Sequence, residues 1–447
     1  MLMPKINKKL SLSAIILLLI FLSVSATYCF VVLSRDTYYN GIYIENIPLK
    51  TLSQDEVLER VREYSNQLNT SGSISFAFEG QIFNYNMKNL DFTYLVENAV
   101  GEAFSIGRTG GILGRLIDIW NLKKNNKYIK LRYKYNEEKL NIVLNQLKTK
   151  IYVPEKGARM FYKAGKYTLL KETVGKKLNI EKSKEAFEEA IRAKNFNEIP
   201  LVIDNVFPSS MAENIGAIDS VIASASTSFS TQEVNRSYNI GFACQKLDGM
   251  VIMPGETFSM NNALGPRTIE NGYRDAKVIM LDELVDGPGG GVCQVTTTLY
   301  VAVLKSLLNV KERMHHSLTL GYVHPGQDAT IADNFIDFKF INNKDYPVSI
   351  NAETSKGNLT IRILSKKDNQ YTVKLKSEIL EVINPEPYEV IKDKSLAYGE
   401  KIITKEARQG KHVQVFREVF DVNGTLIEKT KVSDDVYGPV RGQIRMN

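Results

Sequence analysis

The sequence predicts an α+β chain of several small units behind one membrane anchor. Three observations carry this. Leu10 to Leu33 is uncharged and long enough to cross a bilayer as a helix. Helical and alternating apolar periods then exchange repeatedly along the chain. Beyond Pro385 alternation prevails, with turn dipeptides between the runs. The expected boundaries are an anchor at 1–36, a duplicated α+β region at 37–205, a second α+β domain at 206–365 and a β-rich extension at 366–447. Hydrophobic residues make up 43% and charged residues 24% of the 447, which excludes a disordered chain. A net charge of +7 over this length gives no case for nucleic-acid binding.

Lys5, Lys8 and Lys9 precede the apolar run and Arg35 ends it. Basic residues on that side place the N-terminus inside and everything after Arg35 outside. The rival is a cleaved signal peptide with Val24-Ser25-Ala26 at its cleavage site. The length of the run favours a retained, single-pass anchor in the cell membrane.

After the anchor, Gly41 to Ile47 reads as a strand. Ser53 and Glu56 make a capping box, and Val57, Leu58, Val61, Tyr64 and Leu68 keep helical spacing. Ile74, Phe76 and Phe78 alternate, Glu79-Gly80 turns, and Ile82 to Tyr85 return as a hairpin. A similar series recurs. Leu140, Val143, Leu144, Leu147 and Ile151 mark a helix, and Ala164-Gly165 turns between two short strands. Ile180, Phe187 and Ile191 mark another helix, and Ile199 to Ile203 a strand. Between the copies, the glycine-rich stretch 106–112 lacks the Gly-Lys-Ser/Thr of a phosphate-binding loop and reads as a turn before a helix at 113–121. The basic stretch 123–134, with Tyr128 and Tyr133, reads as an edge strand with a solvated face; the alternative is a grip on an anionic polymer.

Asn205 to Pro208 reads as a link. Asn239, Ala243 and Cys244 keep helical spacing, Met253 to Phe258 turns into a strand, and Gly265-Pro266-Arg267 is a tight turn. Ile336, Phe338 and Phe340 alternate, and Val348–Ala352 and Leu359–Leu364 flank a hairpin turn. In the tail, hairpin turns are expected at Gln409-Gly410 and Asn423-Gly424.

The stretch most informative about function is Gly289-Gly290-Gly291-Val292-Cys293-Gln294, followed by an apolar helix up to Leu308. Bare glycine backbone admits a ligand closely. Unpaired N–H groups and the macrodipole at a helix start favour a thiolate. An acidified thiol beside amide donors is what acyl transfer through a cysteine requires. The alternative is a buried structural cysteine. With only Cys29, Cys244 and Cys293 present, an exported disulfide scaffold is not expected, although a Cys244–Cys293 bridge stays open. His315, His316 and His324 follow the cysteine helix and are the candidate bases, with Asp328, Asp333 and Asp337 near enough in sequence to orient a ring. Arg267 and Arg313 are candidates for binding a carboxylate through both guanidinium nitrogens. Zinc held by His315, His316, His324 and Asp328 is the competing chemistry. No His-Glu-x-x-His or Cys-x-x-Cys spacing supports it, so no metal and no cofactor is expected.

The stretch 215–350 resembles the VanW domain. The resemblance rests on Arg236-Ser-Tyr-Asn239, Pro254-Gly-Glu-Thr-Phe-Ser259, Gly265-Pro-Arg-Thr268, Gly289-Gly-Gly-Val-Cys-Gln294, Thr297-Thr-Leu-Tyr300, His316-Ser317 and Gly326-Gln-Asp328-Ala-Thr330. The region 39–204 is similar to the peptidoglycan-binding module that commonly precedes that domain, and the tail resembles its short, G5-like C-terminal extensions. Clostridial members of similar architecture are L,D-transpeptidases. The resemblance implies that Cys293 attacks the carbonyl after the third stem residue, that D-Ala leaves, and that a second stem's amine forms a cross-link between third residues. It implies His316 as base and Asp328 as its orienting group. Gly291 and Gln294 are the implied oxyanion donors, and Gly290, Thr296 and Tyr322 join Arg267 and Arg313 as expected substrate contacts. Peptidoglycan stem peptides are the implied partner, with the membrane through the N-terminal helix and with room for cell-wall synthesis proteins. A non-catalytic wall-binding or glycopeptide-resistance accessory protein is the alternative.

Overall fold

The computed structural model describes residues 8–68, 72–280, 283–333, 335–367 and 371–447. Two units form. The first takes the chain up to Val153 and Lys176–Asp204; the second takes Pro154–Gly175 and Asn205–Asn447.

The first unit opens with one helix, Lys8–Leu33. At 1.5 Å per residue it is about 39 Å long, more than the roughly 30 Å of bilayer hydrocarbon. Its side chains from Leu12 onward are almost all uncovered by protein. Lys5 lies outside the described residues. The strand expected at Gly41–Ile47 breaks in two, Ile42–Ile44 and Ile47–Pro48, because Glu45 takes a positive φ and reverses the chain. The helix Gln54–Leu68 begins where the capping box requires: Ser53 N–H donates to Glu56 Oε2 at 2.7 Å, and Glu56 N–H donates back to Ser53 Oγ at 3.3 Å. The hairpin Ser73–Phe78 with Gln81–Asn86 follows. Asn136 and Asn179 cap the helices Glu137–Ile151 and Ile180–Arg192. Phe187 of the second series stacks on Phe76 of the first, with centroids 6.1 Å apart, so both series share one core. Part of the basic stretch, Lys127–Ile129, is an edge strand paired in parallel with Ile42–Ile44.

In the second unit an antiparallel sheet runs in the order Ser220–Ser228, Asn358–Ser365, Val348–Ser355, Met250–Ile252. The cysteine helix, Val292–Lys305, packs on it with twelve of its fourteen residues buried. A helix covered on all sides is a fixed platform. A hairpin, Asp275–Met280 with Glu283–Pro288, pairs beside the helix start. The sequence-based boundary near 205 needs correction at one place. The hairpin Arg159–Lys163 with Lys166–Leu170 packs on the second unit's sheet: Ser349 Oγ and Asn351 Nδ2 donate to the carbonyls of Met160 and Tyr162, each at 3.0 Å.

The tail forms a sheet of Thr372–Ile383, Gly410–Phe420 and Leu426–Tyr437, and a smaller one of Glu389–Lys392, Gln443–Met446 and Lys401–Lys405. The chain turns at Asn423-Gly424 as expected. Gln409-Gly410 is not a hairpin turn. Gly410 instead opens the central strand opposite Ile383, where a Cβ would sit 2.5 Å from the Tyr437 carbonyl oxygen.

Candidate active site

The triple glycine solves a crowding problem. A Cβ at Gly290 would lie 2.7 Å from the Lys277 carbonyl oxygen, and Gly291 holds φ at 103° as the residue before the helix. The Gly290 carbonyl is fixed by Asn239 Nδ2 at 3.0 Å. This close fit brings Cys293 to the first helical turn, half-buried, at a groove of about 1200 Å³.

The loop after the helix returns to the thiol. Thr297 Oγ1 donates to the Ala329 carbonyl at 3.0 Å and accepts from Ala329 N–H at 3.1 Å. That clamp sets Asp328 on one side and Thr330 on the other, and Thr330 Oγ1 lies 3.5 Å from Cys293 Sγ. His316 is buried. Its Nδ1 is 2.7 Å from Asp328 Oδ2, which also accepts the His316 backbone N–H at 2.7 Å. The His316 side chain also interacts with the Cys293 thiol.

Burial alone would push the Cys293 thiol up. His316 outweighs it and, with smaller help from a backbone hydrogen bond of Ile331 and from Thr330, holds the thiol at about 7. Burial would likewise push the His316 ring down, but Asp328 and the Cys293 sulfur raise it to about 9. Burial raises the Asp328 carboxyl, yet its bonds from His316 and Tyr437 keep it below the ordinary range. Near neutral pH the arrangement is therefore a thiolate beside an imidazolium, backed by a carboxylate. Such a pair can attack a carbonyl and return the proton to a leaving amine.

Cys244 is the internal contrast. It is buried in the core, and desolvation, with Asp248 nearby, pushes it up to about 12. All three cysteines are free, which closes the question of a Cys244–Cys293 bridge. Iodoacetamide at neutral pH should therefore label Cys293 long before Cys244 in the folded protein. Mass mapping of the two peptides reads this directly, and equal slow labelling would mark Cys293 as a structural residue.

Several expected contacts are corrected by their partners. Arg267 lines the groove but is ion-paired with Asp333 and bonded to Asn261 Oδ1 at 2.8 Å, so its fork is already filled. Arg313 lies away from the groove. It donates to the carbonyls of Asp328 and Gly326 and pairs with Asp435 at 2.6 Å. Gln294 accepts from Arg236 at 2.6 Å and donates to Thr227 and Ser228, while its backbone N–H points at the Gly291 carbonyl; neither donor is free for an oxyanion. Thr296 is fully buried and bonded to the Val292 carbonyl. Tyr322, Gly290 and Gly291 do line the groove. His315 turns its Nδ1 to the His316 carbonyl and His324 is exposed, so neither ring shares the thiol's surroundings. Among the described residues no three His, Cys, Asp or Glu side chains converge as a metal site. Asp337 instead holds the 259–261 turn through Ser259 and Asn261.

Two contributors escaped the sequence. Arg236 lines the groove beside the cysteine helix. Tyr437, from the tail, donates to Asp328 Oδ1 at 2.5 Å and accepts from Gly326 N–H at 2.8 Å. Arg236 sits within a motif already noted, whereas nothing local marks Tyr437, which is 109 residues from Asp328.

Comparison with known proteins fits this layout. Residues 235–364 match the family described as VanW like protein, residues 83–200 a peptidoglycan binding domain family and residues 376–446 the G5 domain. The chain is 34% identical over 186 residues to the uncharacterized protein YoaR of Bacillus subtilis (strain 168), covering 40% of this chain and 61% of that one. It is 31% identical over 117 residues to the vancomycin B-type resistance protein VanW of Enterococcus faecalis (strain ATCC 700802 / V583), covering 25% and 42%. The chain thus spans less than two thirds of either relative. The IgA1 protease G5 domain structure aligns at 22% identity over 17% of this chain and 92% of that one, with a TM-score of 0.13. The chain thus carries a VanW-like domain at residues 235–364, with a match to a peptidoglycan binding domain family ahead of it and to the G5 domain after it.

Proposed function

We propose that this protein is a peptidoglycan L,D-transpeptidase working through a Cys293 thioester, held at the outer face of the cell membrane by its N-terminal helix. The observation that carries the reading is the set Cys293, His316 and Asp328 at the edge of a groove of about 1200 Å³, with the thiol held at about 7. The peptidoglycan-binding and G5 matches supply the partner.

In the proposed reaction the Cys293 thiolate attacks the carbonyl carbon at the L-centre of the third stem residue. The developing oxyanion lies at the helix start, where the Cys293 N–H is a first-turn donor without an intrahelical acceptor. The tetrahedral adduct collapses, the C–N bond to the terminal D-Ala breaks, and the His316 imidazolium gives its proton to the departing amine. A thioester remains. The side-chain amine of a second stem then attacks it, the now neutral His316 takes the proton, and the thiolate leaves. The product is an amide between third residues. Asp328 and Thr330 orient the ring and the sulfur rather than reacting.

The test is to incubate the detergent-solubilised protein with disaccharide-tetrapeptide and look for a dimer with loss of D-Ala. Cys293→Ala should abolish the dimer. Tight stem binding with no dimer from the wild type would favour the non-catalytic wall-binding reading.

A further inference from the structure

The first unit carries an apolar surface that the chemistry does not use. The helix Ile112–Leu122 leaves Leu113 77%, Ile117 58% and Trp120 56% exposed. At about 100° per residue, Leu113, Leu116, Ile117 and Trp120 fall on one stripe, and Asp118 lies outside it. The buried Leu122 is on the opposite side. Lys123 and Lys124 follow directly, with Lys124 Nζ 4.0 Å from the Trp120 ring centroid.

This helix is fastened to the end of the apolar helix Lys8–Leu33. Arg115 Nη2 donates to the Leu33 carbonyl at 3.0 Å, and its Nε to the Gly107 carbonyl at 3.1 Å. Arg108 donates to the carbonyls of Arg35 and Thr37, and Tyr39 Oη to that of Val32. Of the last-turn carbonyls, which a helix end leaves without partners, that of Leu33 is therefore taken up by the helix that carries the exposed stripe. If the apolar helix leaves a bilayer at Leu33, residue 115 is at the headgroup level by direct contact.

We propose that Ile112–Leu122 is an interfacial helix that sinks its Leu113–Ile117–Trp120 stripe into the outer leaflet beside the anchor, with lipid as the occupant of that face. The proposal rests on reading Lys8–Leu33 as a retained anchor. Three features favour lipid over a protein partner: continuity with an uncovered apolar helix, a tryptophan at the interface level, and lysines placed to meet anionic headgroups. A second hold on the bilayer would stop the first unit from swivelling about a single helix.

Trp120 is the single tryptophan of the chain, which makes the test direct. Full-length protein is reconstituted into vesicles of phosphatidylglycerol and phosphatidylethanolamine and floated on a density gradient. In vesicles whose acyl chains are brominated near the headgroup, Trp120 emission should lose most of its intensity, and aqueous acrylamide should quench it little. The double variant Leu113→Glu/Ile117→Glu should still float, but with red-shifted emission that bromine no longer quenches. Wild-type protein that floats while Trp120 stays open to acrylamide and insensitive to bromine would overturn the proposal and leave the anchor standing. A blue shift that grows with protein concentration without bromine quenching would assign the stripe to a second copy, also overturning it. Protein that does not float would remove both the anchor and the interfacial helix.

Discussion

Replacing Arg313 by alanine should destabilise the second unit by about 3–5 kcal/mol, the usual cost of stripping one partner from a buried ion pair. The Arg313 side chain, 9% exposed, sits between Asp328 and Asp435 and over the Tyr300 ring. Without it Asp435 is a buried carboxylate whose second oxygen already lacks a partner. The Asp328 carbonyl loses the Arg313 donor as well, and the Gly326 carbonyl keeps only Ser433 Oγ at 3.2 Å. Thermal unfolding of the solubilised protein measures the loss. Combining Arg313→Ala with Asp435→Ala should cost clearly less than the sum of the single changes, because the double variant leaves no orphan charge at 435. Strict additivity would mean that the pair contributes nothing jointly.

The second large effect belongs to His316. His316→Ala should slow acyl transfer by a factor on the order of 100 or more, the range of a lost general acid–base group. It should also move the Cys293 thiol upward from about 7, because burial, which raises it, would then act without its main opponent. The wild-type pH profile follows from the same two groups. Activity should rise as the thiol ionises near 7 and fall as the His316 proton is lost near 9. The alanine variant should lack the alkaline fall. Iodoacetamide rates against pH give the thiol titration, and the dimer assay gives the activity limbs. A variant that keeps the wild-type thiol titration would remove His316 from the site.

What the sequence makes legible here is local. The capping box at Ser53, the asparagine caps and the long apolar periods specify helices by contacts within four residues. The glycines before Cys293 announce a close backbone approach without saying to what; the answer is Lys277 and Ala276, in a hairpin that lacks a clear local signal. The strand Ser220–Ser228 is rich in small and hydroxyl residues and reads poorly as β, yet it edges the sheet under the cysteine helix. Thr227 there bonds Thr298 at 2.8 Å and Gln294 at 3.0 Å, so its place is set by the helix rather than by propensity. Arg267, Arg313 and Gln294 show the other limit. Each has the right chemistry for a ligand, and each is already engaged by protein groups that sequence spacing does not reveal. Tyr437 shows the same limit in reverse: a tail residue reaches the Asp328 carboxylate, so the β-rich extension supports the site as well as matching the G5 domain.

The proposed reaction requires Cys293 to become covalently acylated by a stem peptide. The most direct measurement is the intact mass of the protein, quenched in acid seconds after mixing with disaccharide-tetrapeptide, followed by peptide mapping. The expected added mass equals the disaccharide-tripeptide acyl group on Cys293, with one free D-Ala released per adduct. Unmodified Cys293 in protein shown to bind the stem would contradict it.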